Sequence, residues 1–159
     1  MASAIHTVEA SGLARFMREA LYAYPVTEAI HIASLALLFG SIVIVDLRLL
    51  GLGRGIPVIA LVRFAVPWSL AGFAMAATTG LLMFTAHAEE FLVQPTFLLK
   101  MGLILAGGIN AALLHTGPLR ALAVASADHP LPGRIRLAAA LSILMWLGVI
   151  ACGRLLAYL

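Results

Sequence analysis

Four apolar runs, each long enough to cross a bilayer, constrain this chain more than anything else in it. They lie at about 26–50, 64–88, 95–116 and 135–159. A helix rises 1.5 Å per residue, so roughly 20 residues cross about 30 Å of hydrocarbon. The chain has 159 residues, so four such spans and their connections leave no room for a separate soluble domain. Only 11% of residues are charged, against about 25% in a soluble domain. Disorder would need low hydrophobicity and high charge, whereas 63% of this chain is apolar. The expected fold is therefore all-α: a single integral membrane four-helix bundle over 1–159.

The segments outside the spans set the topology. Residues 1–12 lack the apolar stretch of a secretory signal peptide. Residues 12–24 follow, with Leu13, Phe16, Met17, Ala20, Leu21 and Tyr24 at helical spacing and Arg15, Arg18 and Glu19 off that stripe. Ser11 is a natural N-cap and Pro25 a natural stop. This reads as an amphipathic helix lying in the headgroup layer. The connections are GLGRGIPVIALVR, EEFLVQ and a Pro- and Ser-containing loop near 117–133.

Both chain ends and the EEFLVQ loop share one side, called A. Side B carries Arg48, Arg54, Arg63, Arg120, Arg134 and Arg136. The positive-inside rule places side B in the cytoplasm. In a bacterial inner membrane both termini are then periplasmic. The net charge of +3 serves this topology and does not imply nucleic acid; the expected surroundings are the lipid bilayer.

An ionisable group within a span is costly and marks function by default. Near side A lie Glu28, His31, His87, Lys100, Arg154 and Tyr158; near side B lie Asp46, Arg48, Asn110 and His115. Antiparallel spans bring His31 and His87 to similar depth, where two imidazoles can hold one metal or one haem iron. Gly72, Ala76 and Gly80 recur every fourth residue on the second span and lead to His87. Such a smooth groove suits a haem plane; it equally suits close helix packing. Met83 is a substitute ligand. Arg154 and Lys100 can hold propionates or snorkel to the headgroups. Glu28 can orient the second nitrogen of His31, and Trp146 can cover a cofactor ring or fill the core. Asp46 and His115 share a depth and can form a proton-transfer pair or a quinone site. An ion pair between Asp46 and a nearby arginine is the plainer alternative.

The lone Cys152 excludes an internal disulfide, an iron–sulfur cluster and a CxxCH haem attachment. P-loop, GxSxG, HExxH and Rossmann glycine patterns are absent from the sequence.

Four stretches together, HIASLALLFGSIVIVDLRLLGLG, PWSLAGFAMAATTGLLMF, PTFLLKMGLILAGGINAALLH and RLAAALSILMWLGVIACGRLLAY, resemble a family of small bacterial four-span membrane proteins of unknown function. His31, the Asp46-Leu47-Arg48 run, Lys100, Asn110, His115 and the Gly153-Arg154 pair carry the likeness. It implies a four-helix membrane fold. The arrangement also looks like four-helix b-type cytochromes, a likeness of fold alone.

The functional expectation is haem b bound by His31 and His87, serving electron transfer or oxidation of a quinol or small substrate as a membrane oxidoreductase. Copper at the same histidines is the lesser cofactor. The other class is a non-enzymatic module: a metal-ion or small-solute permease or a structural subunit. Small-residue stripes on several spans, Gly102 and Ala106 among them, predict a homo-oligomer, and a quinone or redox protein is the expected partner.

Overall fold

The computed structural model describes residues 2–117, 119, 131–156 and 158. Of the connection near 117–133, Arg120 and residues 121–130 lie outside these, as does Leu159. The described elements are helices α1 (Ala2–Glu9), α2 (Gly12–Glu19), α3 (Ala23–Leu50), α4 (Val58–Ala86), α5 (Ala88–Val93), α6 (Pro95–Thr116) and α7 (Gly133–Leu155). No strand occurs among the described residues. Helices α3, α4, α6 and α7 are each long and apolar enough to cross a membrane, and the protein is a multi-pass membrane protein.

Local chemistry explains where these helices differ from expectation. The helix after Ser11, whose side chain accepts from the Ala14 N–H, stops at Glu19. Pro25 does not end it; Pro25 lies in the first turn of α3, where the missing N–H has no helical partner to lose. At the far end of α3, Gly51 takes φ +109. It closes the helix with Gly51 N–H to the Arg48 carbonyl at 3.1 Å and Leu52 N–H to the Leu47 carbonyl at 3.0 Å, a C-terminal turn that glycine permits without strain. Arg48 reaches over that turn, its Nε donating to the Ile56 carbonyl at 2.6 Å. The loop is thereby short, and α4 begins at Val58, ahead of the expected start near 64. Pro67 consequently sits inside α4, a position that membrane helices tolerate. The EEFLVQ segment is mostly the short helix α5.

Helix α4 packs along α3, α3 on α7, and α7 on α6. Helices α4 and α6 are neighbours through α5 in sequence but make no comparable contact with each other. The result is an antiparallel bundle with a seam between α4 and α6. Gly72 explains the tight α3–α4 pair: a Cβ there would lie 2.8 Å from the Leu38 nitrogen and 3.0 Å from the Ser34 carbonyl oxygen. Two apolar layers fill the interior. One, near side B, centres on Val45, Leu49, Leu114, Ile135 and Ala139. The other, at mid-depth, is Leu38, Trp146 and Val149. Outward residues are also apolar; Leu105, Leu113 and Leu144 are 65%, 66% and 64% exposed. Lipid tails are as apolar as leucine, so that surface incurs no penalty in a bilayer and interior cohesion comes from packing.

Helix α2 docks on the side A end of α4 through the buried Ala14 and Met17. Arg18 fixes it, donating to the Ala86 carbonyl at 3.1 Å and the Glu9 carbonyl at 2.8 Å. Leu13 and Phe16 stay exposed. The stripe read as a single face is thus divided between the bundle and the surroundings.

Candidate functional site

On α3, the sequence places His31 one helical turn before Ser34 and two before Leu38 on the face that meets α4. Its Nδ1 lies 2.9 Å from the Thr79 Oγ1 of α4. The Thr79 hydroxyl has a single hydrogen, which it donates to the Met75 carbonyl at 2.8 Å, with the Ala76 carbonyl at 3.2 Å. The threonine oxygen must therefore accept from histidine. That assigns the proton to Nδ1, where the Thr79 oxygen accepts it; the ring also interacts with the Ala76 backbone, and no hydrogen bond to Nε2 is found among the described residues. The ring itself lies over Gly80, where an added Cβ would come within 3.1 Å of Cε1.

Lys100 of α6 lies within electrostatic range of this histidine. It is half-buried and electrostatically coupled to both His31 and Cys152. Its Nζ lies 3.5 Å from where a Gly153 Cβ would be, so the bare glycine makes room for the lysine against α7. Glu28, expected to orient His31, is exposed; Thr79 holds the ring instead. Sequence reasoning missed Thr79, although its place just before Gly80 on the packed stripe was the available signal.

His87 is not brought to His31. It caps α4 at the junction with α5, with its ring 6.1 Å from that of Tyr24 and its Nδ1 3.6 Å from Glu90 Oε2. Contact of His31 with Gly80 and of Tyr24 with His87 makes two rungs of one antiparallel ladder. Seven residues separate them on each helix, about 10 Å along the axis. The two rings make separate contacts in this structure, His31 with Thr79 and Gly80 and His87 with Tyr24 and Glu90. Gly72, Ala76 and Gly80 likewise do not form a vacant groove: Gly72 meets the α3 backbone and Gly80 the His31 ring. Met83, also expected as a substitute ligand, is half-buried on the same helix.

Arg154 is exposed. Its guanidinium is stacked 4.6 Å from the Tyr158 ring centre and hydrogen-bonded to the Tyr158 hydroxyl. Trp146 is 7% exposed and fills the space left by Gly107 of α6, where an added Cβ would lie 3.4 Å from its Cε2.

At side B, Asp46 is 4% exposed and faces Ser142 of α7, while its Oδ2 has no partner among the described residues. Arg48 does not pair with it, because the guanidinium is committed to the Ile56 and Arg54 carbonyls. His115 turns its Nδ1 to the Ala111 carbonyl of its own helix at 2.8 Å. No bond joins it to Asp46 among the described residues. Asn110 donates to the Ala138 carbonyl at 3.0 Å and ties α6 to α7. Among the described residues no group of three or more His, Cys, Asp or Glu side chains could hold a metal ion.

A family of unknown function, DUF6644, matches residues 12–159. The chain belongs to the DUF6644 family. The matched stretch contains all four spans and the α2 helix, and so every side chain of the His31 site. No curated protein and no solved structure matches this DUF6644 chain.

Proposed function

We propose that this DUF6644 protein is a b-type haem protein of a bacterial inner membrane with a redox role: electron transfer, or oxidation of a quinol or another small substrate. The observation that carries the reading is the oriented His31. Its Nδ1–H is spent on Thr79, and its Nε2 lone pair is left in a membrane-embedded site beside a lysine. A metal-ligating histidine characteristically has its other nitrogen fixed in this way.

The fit to haem is through one ligand, not two. His31 would supply the nitrogen ligand, Thr79 would hold its tautomer and ring angle, and Lys100 would offer a cation to a propionate. Arg154 is committed to Tyr158, and His87 stands a rung away. When bound, the haem supplies a one-electron couple at its iron.

A pyridine haemochrome assay on protein purified from haem-supplied cells tests this reading. About one haem per chain is the expected result. Colourless, stable protein would overturn it and favour a permease or structural subunit.

The proposed topology has both termini periplasmic, for which the six side B arginines speak. A C-terminal alkaline phosphatase fusion is then active, and a C-terminal fusion fluorescent only in the cytoplasm stays dark. The reverse pattern would refute the orientation.

A homo-oligomer is proposed as well. The Ala29, Ala33, Ala36 and Gly40 stripe of α3 is exposed along its length, and an added Cβ at Gly40 or Gly102 would meet nothing within 4 Å. Unlike Gly72, Gly40 and Gly102 meet no neighbour among the described residues and are open to close approach of a second copy. Native mass spectrometry from mild detergent should return a dimer or larger; a monomer alone would count against it.

A further inference from the structure

Asp46 is a carboxyl group with nothing beside it to balance a charge. It is 4% exposed, and its Oδ2 is buried without a partner among the described residues. It stands on α3 one turn before the helix end at Leu50. The apolar layer of Leu49, Ile135 and Ala139 closes it off toward side B, and that of Leu38, Trp146 and Val149 toward mid-depth. Ser142 of α7, itself buried, faces the carboxyl. The basic groups around it are turned elsewhere. On α3, Arg48 is spent on the Ile56 and Arg54 carbonyls. On α6, His115 turns Nδ1 to the Ala111 carbonyl and Asn110 donates to that of Ala138. Arg63 of α4 and Arg134 and Arg136 of α7 are exposed, and no ion pair among the described residues includes Asp46. A carboxylate so placed bears the full cost of a buried unpaired charge; a carboxylic acid bears that of one unmade hydrogen bond.

We propose that Asp46 is an exchangeable proton-binding site within the membrane. The bound proton forms an O–H bond at the carboxyl, and its release leaves a carboxylate with the Ser142 hydroxyl as donor. Exchange has a short route. The helix end is about 6 Å away, and the layer between is completed by Leu119 and Leu131. Both lie between the spans α6 and α7, where packing opens more readily than inside a helix. The site is fifteen residues from His31, about 22 Å along α3, and does not rest on the haem reading.

Infrared spectroscopy of the full chain in lipid nanodiscs reads this proton, because a carboxylic acid has a carbonyl stretch that a carboxylate lacks. Wild type minus Asp46→Asn, a variant with the shape of the neutral acid, isolates the band of Asp46. The band is expected at about pH 5, should fade reversibly as the pH rises to about 10, and should move to lower wavenumber in D2O. Ser142→Ala should move it to higher wavenumber, since the carbonyl loses its donor; this variant identifies the band even where Asp46→Asn does not fold. The same band is expected in haem-free His31→Ala protein, so failure of the haem reading leaves this result standing. Absence of an Asp46 band would show a permanent carboxylate and overturn the proposal. A band that persists to about pH 10 or resists D2O would show a sealed structural acid and overturn it equally, and one unmoved in Ser142→Ala would refute the geometry.

Discussion

His31→Ala is expected to lower haem affinity by more than roughly 100-fold, since removing even a supporting partner of a metal ligand costs about 10–100-fold. The iron would lose its one protein nitrogen. His31→Gly grown or purified with imidazole should recover the absorption spectrum, because the small base can occupy the space left beside Gly80 and Thr79. Thr79→Val tests the orientation argument separately. It removes the acceptor for Nδ1–H while keeping the shape of the side chain, and it should weaken haem by about tenfold with the bundle intact. His115→Ala, at the opposite end of the spans, should leave the spectrum unchanged. If His31 is the iron's one protein ligand, as proposed, the reduced wild type should bind carbon monoxide directly. Full haem occupancy in His31→Ala would discard the ligand assignment. A wild type that carries haem but refuses carbon monoxide would show that a second ligand reaches the iron.

Gly72→Leu is expected to be the most damaging single substitution in the spans. Even its first carbon would sit 2.8 Å from the Leu38 nitrogen, 3.0 Å from the Ser34 oxygen and 3.1 Å from the Leu38 Cα. All three are backbone atoms, so no rotamer change relieves the clash, and α3 and α4 must part along their length. Overpacking typically costs about 1–3 kcal/mol when side chains can adjust; here the upper end or beyond is expected. Separation would also break the His31–Thr79 bond, so haem loss should accompany the loss of stability. Gly40→Ala is the contrasting case. Its Cβ would meet nothing, and alanine favours a helix over glycine by up to about 1 kcal/mol. Thermal unfolding in detergent, followed by the fluorescence of buried Trp146 in a Trp68→Phe background, compares the two. Equal midpoints would refute the packing argument. A midpoint for Gly40→Ala well below the wild type would show instead that the exposed α3 stripe is an interface between copies.

What the sequence determined by itself was the four-helix membrane fold, because 63% apolar residues in spanning-length runs leave the backbone no other way to satisfy its polar groups in hydrocarbon. It also singled out His31, Lys100 and Asp46, since charge or imidazole within a span stands out against that background. Helix ends were less legible. Pro25 and Pro67 read as boundaries, but a proline's place in a helix depends on where the preceding turn begins, and the Gly51 turn and its Arg48 brace decided that for α4. Partners were decided only by the tertiary structure. Depth along a helix follows from counting residues, which is why His31 and His87 could be set at similar depth. Rotation and axial offset between helices follow from which small residues allow contact. Gly72 seats α3 against α4, and that seating put His31 over Gly80, gave its nitrogen to Thr79 instead of Glu28, and left His87 with Tyr24 a rung away.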